Sequence, residues 1–255
     1  KFIEANKKQP SFLYYSLTEP HVPRMPSTKK KKKSNLGYRG DAILQMDWAV
    51  GEIMKQLESL GIAKNTMIIF SSDNGPVLDD GYEDEAVSKL NGHTPGGVLR
   101  GGKYSTFEAG TRIPMIISWP SQTKNGISKA LLSQIDFMAS FSKMLKIKPV
   151  KSEATDSEDM INVLLGKTNK GRTVLIKQGI TSLAIVKDNW KYIEPNKGPE
   201  INLLTNIELG NSLLPQLYDL ENDLGEKNNL ATQKAEIVFE LAGLLQKIKD
   251  QKTKD

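Results

Sequence analysis

Asp73 and Asn74 put a carboxylate and a carboxamide side by side at the end of an apolar run. Met67-Ile68-Ile69-Phe70 leads to them through Ser71-Ser72, and Gly75-Pro76 follows. Both side chains offer hard oxygen donors, which suit Ca²⁺, or Mg²⁺ as the alternative, better than a soft metal. An isolated Asp-Asn-Gly is also an ordinary turn, and two residues do not complete a site of six or more ligands. Further donors must come from elsewhere. Downstream, Arg100-Gly101-Gly102-Lys103 joins two cations through glycines that let a ligand approach the backbone closely. Lys103 can present a point charge to a sulfate or phosphate oxygen, and Arg100 can add a bidentate contact. The plainer readings are a solvated loop lysine and a structural arginine. The chain has 2 histidines, His21 and His93. His21, between Pro20 and Pro23, can hydrogen-bond an anionic ester or protonate its leaving group. His93, in Asn91-Gly92-His93-Thr94-Pro95, is a candidate for lining a substrate pocket. Either can equally be a surface loop histidine. Oxygen donors for a cation plus an anion clamp imply hydrolysis of a charged ester.

These residues need rigid elements to hold them. An apolar run bounded by turn residues reads as a buried strand of a parallel sheet, and ligands bind such sheets at the carboxyl ends of their strands. Phe12-Leu13-Tyr14-Tyr15-Ser16-Leu17 reads as an earlier strand ending at His21. Between the two, Ile43, Met46, Val50, Ile53, Leu57 and Leu60 recur at helical spacing and are closed by Gly61. Strand, helix and strand then make a right-handed crossover unit. Residues 77 to 111 hold no long element, and an irregular stretch of that length is usually functional. Pro114 to Trp119 is a further strand, and Leu131 to Leu145 a further helix. The polar segment Lys148 to Asp159 reads as a linker or surface loop. Beyond it, Leu183 to Val186 and Trp190 to Ile193 flank an Asp188-Asn189 turn, a hairpin signal. Gln216 to Leu220 is another short strand, and Ile237 to Ile248 a closing helix. The expected fold class is α/β, with a small C-terminal α+β subdomain of antiparallel strands and a helix.

The 255 residues carry a net charge of +5, with 25% charged and 38% hydrophobic residues. That is ordinary globular composition, and the mild positive excess suits an anionic substrate without implying nucleic acid. Absence of cysteine excludes disulfides, thiolate metal sites and a cysteine nucleophile within these residues. No apolar stretch approaches the roughly 20 residues of a membrane helix. Lys29 to Lys33 is a run of lysines with no aromatic interleaved. It can attract a polyanion, but reads more plainly as a solvated loop. The start at Lys1-Phe2-Ile3-Glu4 has no secretory h-region and leads at once into a strand, so the chain is expected to begin within a domain.

Four collinear segments carry a resemblance. Phe12 to Pro23 is similar to a strand ending in Pro-His-x-Pro. Asp41 to Gly75 is similar to a helix–strand unit containing Met46-Asp47-Trp48-Ala49-Val50-Gly51 and Ser72-Asp73-Asn74-Gly75. Leu99 to Pro114 is similar to a lysine-bearing segment with Glu108, Gly110 and Pro114. Leu217-Tyr218-Asp219-Leu220 with Asn229-Leu230-Ala231 is similar to a tail segment before a final helix. Together they resemble the sulfatase family of the alkaline phosphatase superfamily.

The resemblance implies a mostly parallel sheet flanked by helices. Residues 1–150 would be the C-terminal portion of its α/β catalytic domain, and 151–255 a linker and a smaller subdomain. It implies that Asp73 and Asn74 ligate a divalent cation, usually Ca²⁺, and that Lys103 and His21 contact the sulfate ester and its leaving oxygen. Arg100 and His93 remain substrate-side candidates. The family's nucleophile is a formylglycine made from a Cys-x-Pro-x-Arg motif, and two further aspartates complete its cation site. Neither occurs here, so both are expected upstream, and the chain alone is expected to be inactive and to bind metal poorly. The implied substrate is a sulfated small molecule or glycan, with no nucleic-acid partner and no membrane span. The implied location of the parent is periplasmic or secreted. A phosphoesterase or phosphonate hydrolase of the same superfamily is the alternative reading, followed by a non-catalytic polyanion-binding protein.

Overall fold

A computed structural model describes residues 1–148 and 153–252. The boundary expected at 150/151 lies outside the described residues, as does part of the linker from Lys148 to Asp159.

After a short helix α1 (Phe2–Asn6), residues 10 to 18 form no regular element and no paired strand. Phe12 is 75% and Tyr14 80% exposed. The expected first strand, and the crossover unit built on it, therefore do not form among the described residues. Apolar alternation marks a segment able to pair, but a ladder also needs a neighbouring backbone. Helix α2 (Gly37–Ser59) occupies the stretch where the apolar spacing predicts it, and Gly61 follows with φ +69°. A 3-10 turn (Ala63–Asn65) leads into β1 (Ile68–Ser71).

The next element is a single helical turn, α3 (Glu108–Thr111), followed by β2 (Met115–Ser118). β1 and β2 pair antiparallel, with Phe70 opposite Ile116, so this pair is not the parallel neighbour that the run Met67–Phe70 suggests. Helix α4 (Asp136–Leu145) begins five residues later than the apolar spacing from Leu131 predicts. Asp136 accepts the Ser133 N–H at 3.0 Å, satisfying a donor beside the first turn, while residues 131 to 134 stay irregular. Helix α5 (Ile161–Leu164) is a single turn packed against α4.

The last third forms an antiparallel sheet in the order β3 (Val174–Gln178), β4 (Leu183–Lys187), β5 (Trp190–Ile193) and β8 (Gln216–Asp219). The hairpin at Asp188-Asn189 is present, with Asp188 at φ +54°. Between β5 and β8 a second ribbon pairs β6 (Ile201–Asn202) with β7 (Ile207–Glu208). β3, β6 and β7 carry no signal that the sequence reading used. Helix α6 (Ala235–Lys252) covers one face of the four-stranded sheet, where Ile185, Tyr192 and Leu217 pack with Leu241 and Leu245.

Strand side chains alternate between faces. The opposite face, bearing Ala184, Ile193 and Tyr218, packs on Phe107 immediately before α3. Lys191 and Lys177 share that face by register: Lys177 stands opposite Ala184 and Lys191 opposite Tyr218. A lysine at an inward position needs a counter-charge, and Glu108 of α3 supplies it. Lys177 and Lys191 both contact Glu108 Oε1, while Lys191 also reaches Glu226 at 2.7 Å. The C-terminal sheet and the segment from Lys103 to Gly110 are thereby joined through a shared ionic core.

Candidate active site

The carboxyl end of β1 delivers Asp73 and Asn74 to an irregular surface. Asp73 is exposed, and its Oδ1 accepts the Asn74 N–H at 2.9 Å. Asn74 donates its side-chain amide to the Gly75 carbonyl at 2.9 Å, which orients the carboxamide and leaves its oxygen free to act as a donor atom. Among the described residues no group of three or more acidic or histidine side chains forms a metal cage. The pair fits a Ca²⁺ or Mg²⁺ ion as two oxygen donors of a larger set, as its chemistry predicts.

Gly75 couples this turn to the lysine segment. Its N–H donates to the Gly110 carbonyl at 3.1 Å, and a Cβ placed there would lie 1.5 Å from the Ala109 oxygen. Only glycine permits the contact. One residue on, the Pro76 carbonyl accepts the Lys103 N–H at 2.9 Å. Gly101 takes φ +84°, turning the chain so that Lys103 faces the same region.

His21 arrives from the other side on a loop with cis peptide bonds at Glu19-Pro20 and Val22-Pro23. That loop is tied down by Arg24, which is buried. Arg24 donates to the carbonyls of Pro20 at 2.9 Å, Leu78 at 2.8 Å and Val77 at 3.0 Å, and pairs with Asp84 at 2.9 Å. One guanidinium thus fixes the histidine loop to the residues just after Gly75-Pro76. His21 Nδ1 lies 2.7 Å from the Val22 carbonyl, an acceptor, so Nδ1 carries the hydrogen. Its Nε2 then faces outward, 3.4 Å from Lys103 Nζ.

Lys103 is in turn held by Asp80 at 2.8 Å, and Tyr104 donates its hydroxyl to the same carboxylate at 3.0 Å. Burial favours the neutral form of Lys103, but the hydrogen bond and charge of Asp80 outweigh it and hold the ammonium above its usual range. For Asp80, burial acts upward and the Lys103 and Tyr104 hydrogen bonds outweigh it, so the carboxyl sits below its usual range. The lysine is therefore a fixed cation at neutral pH. Sequence reasoning missed Arg24 and Asp80. An arginine set among Pro20, Pro23 and Pro26 was the available signal for the first; Asp80 lies in an acidic stretch with none.

The two remaining candidates stand apart from this cluster. Arg100 makes a bidentate pair with Glu208, at 2.8 and 2.9 Å, donates to the Glu226 carbonyl, and lies over the Phe107 ring. Its guanidinium fastens the Lys103 segment to β7. The hydrogen bond and charge of Glu208 raise Arg100 above its usual value. His93 is exposed and sits 3.2 Å from an Arg39 nitrogen through Nδ1. Neither joins His21 and Lys103.

The arrangement brings the Lys103 ammonium to His21 Nε2, on segments hydrogen-bonded to the turn that carries the oxygen-donor pair. The sulfatase family model matches residues 1–147. An N-acetylgalactosamine-6-O-sulfatase of Bacteroides thetaiotaomicron is 52% identical over 249 residues, covering 97% of this chain and 49% of that protein. Human arylsulfatase A is 27% identical, covering 87% of this chain and 44% of that protein. A solved structure connected with metabolism of multiple glycosaminoglycans by Bacteroides thetaiotaomicron superposes with a TM-score of 0.95 at 52% identity. It covers 98% of this chain and 52% of that one. The chain spans about half the length of the curated relatives that it matches.

Proposed function

The chain belongs to the sulfatase family, and from that premise we propose that its parent activity is hydrolysis of a sulfate ester on an amino-sugar glycan. The single observation that carries the reading is the approach of His21 Nε2 to Lys103 Nζ at 3.4 Å, on loops registered to the Asp73-Asn74 turn. An anionic sulfuryl group between these side chains and a cation would meet fixed positive charge on each side.

The proposed roles combine this geometry with the family resemblance. Lys103 stays protonated beside Asp80 and offers N–H donors to non-bridging sulfate oxygens. With Nδ1 committed to the Val22 carbonyl, Nε2 is the atom of His21 that can carry a proton to the departing alcohol oxygen. Asp73 and Asn74 would hold Ca²⁺, or Mg²⁺. Such an ion polarises the sulfate and stabilises charge that develops on its oxygens. The nucleophile, a formylglycine, and the remaining oxygen ligands would come from residues outside these 255. Arg100 serves as a tether for the lysine segment, and His93 as a rim contact. A 6-O-sulfated N-acetylgalactosamine unit is the substrate that the 52% identical relative's name supports.

The test is sulfate release from N-acetylgalactosamine 6-sulfate and from a chromogenic aryl sulfate, with an aryl phosphate alongside. The full-length enzyme should release sulfate and lose that activity with Lys103→Ala. Turnover of the phosphate and not of either sulfate would replace this reading with the phosphoesterase one.

A further inference from the structure

The lysine run is an ordered structural feature. The carboxylate of Asp41, 2% exposed, accepts the backbone N–H groups of Lys32 at 2.6 Å, Lys33 at 2.9 Å and Ser34 at 2.7 Å. Three amides converging on one buried carboxylate hold the loop against the first turn of α2. Lys32 adopts φ +59° to make the turn. None of Lys29 to Lys33 has an ion-pair partner among the described residues.

The lysines and helix α2 together shape a shallow groove lined by Lys29, Lys30, Lys33, Asp47, Trp48 and Lys55. Trp48 is 50% exposed, and Lys30 Nζ lies 5.3 Å from its ring centroid. A half-exposed indole at a helix surface, with Lys30 over its ring and further lysines lining the groove, can take a flat or puckered ring that carries negative charge on the area Lys30 does not cover. The groove also communicates with the catalytic loop. Ser27 donates its N–H to Gln45 Oε1 at 2.8 Å, and the Gln45 amide donates to the Glu19 carboxylate, two residues before His21.

We propose that this groove is an accessory binding site for an acidic polysaccharide, anchoring the substrate chain beside the catalytic loop. The proposal rests on the sulfatase reading for its choice of ligand. Trp48 would stack on the apolar face of one sugar, the lysines would meet sulfate or carboxylate groups of its neighbours, and Asp47 would accept a sugar hydroxyl. A single-stranded nucleic acid fits less well. Such grooves use successive aromatic platforms along a continuous phosphate backbone, whereas this one has a single indole and a carboxylate among its cations.

The experiment measures binding of this 255-residue chain to chondroitin 6-sulfate oligosaccharides by isothermal calorimetry, at low and at raised salt. The binding readout does not depend on turnover, so it stands even if no sulfate is released. The chain should bind with salt-sensitive affinity and should not bind dextran. The variant Lys29→Ala/Lys30→Ala/Lys33→Ala should bind about tenfold more weakly, as three solvated ion pairs of ordinary strength imply. Trp48→Ala should weaken binding by an amount that salt does not change. The control Lys8→Ala/Lys124→Ala/Lys129→Ala, with the same loss of charge on exposed lysines elsewhere, should bind like the parent. Equal weakening in that control would reduce the effect to net charge and overturn the proposal. So would unchanged binding in the groove variants, or tighter binding of a single-stranded oligonucleotide than of the oligosaccharide.

Discussion

Replacing Glu108 by glutamine keeps the side chain's shape and removes one charge from the ionic core. Glu108 is fully buried and faces Lys191, which is also fully buried, and Lys177, which is nearly so. Arg112 reaches its other oxygen at 2.6 Å from a half-exposed position. In Glu108→Gln, Lys191 would keep only Glu226, which already accepts the residue 108 backbone N–H, and Lys177 would lose the carboxylate it pairs with. Breaking a buried pair by removing one partner costs about 3–5 kcal/mol. At about 2–4 °C per kcal/mol for a chain of this size, the melting midpoint should fall by roughly 6–20 °C. Burial pushes the Glu108 carboxyl up, but the charges of Lys191, Lys177 and Arg112 outweigh it and hold the group well below the usual carboxylate range. The folded state therefore binds this proton less tightly than the unfolded chain. The associated stability is fully present above the unfolded value of 4.5 and is lost as pH falls below it. The variant should lack that part of the acid limb. At the alkaline end, burial lowers Lys177 to about 8, so its penalty is relieved as pH rises from 8 towards 10.5. Glu108 holds Lys177 up against burial, so without it Lys177 loses its proton at lower pH. The variant's deficit should therefore shrink as pH rises towards 8 and stay constant above it. Urea titrations across pH measure both effects. A loss below about 1 kcal/mol at neutral pH, the range of exposed ion pairs, would refute the reasoning from burial.

Three further outcomes are expected. Lys103→Ala should lower kcat for sulfate release by about 10²–10³-fold, the usual effect of one lost donor at a developing negative charge, with a lower melting midpoint because the nearly buried Asp80 loses its ion-pair partner. Gly75→Ala should destabilise the chain by at least about 1–3 kcal/mol in urea, because its Cβ would overlap the Ala109 carbonyl at 1.5 Å. Chelation of the full-length enzyme should abolish activity that added Ca²⁺ restores. Asp73→Ala should raise the Ca²⁺ concentration needed for that restoration, whereas Asp79→Ala should leave it unchanged.

Sequence alone supplied the candidate residues for the chemistry and their order. Helix α2, the Asp188-Asn189 hairpin and helix α6 were legible because each is set by local spacing and turn chemistry over a few residues. Asp73-Asn74-Gly75 was legible because an apolar strand that stops at polar residues is a local pattern. What needed the tertiary structure was every fact about partners. The antiparallel pairing of β1 with β2 joins segments 40-odd residues apart, and no periodicity records which edge a strand will meet. The segment from Phe12 to Leu17 has strand composition, yet pairing requires a backbone beside it.

Arg24 and Asp80 looked like ordinary loop charges until the fold placed three carbonyls around one and Lys103 against the other. Arg100, a substrate candidate by its glycine neighbours, was directed to Glu208 by the position of β7. Lys177 and Lys191 read as polar strand residues. Only register shows that they point inward at Glu108, because alternation fixes which residues share a face but not which face is buried. Residue identity and local spacing thus set what Asp73, Asn74, His21 and Lys103 can do. Long-range packing decided which of them meet, since a contact across the chain depends on every element between its ends.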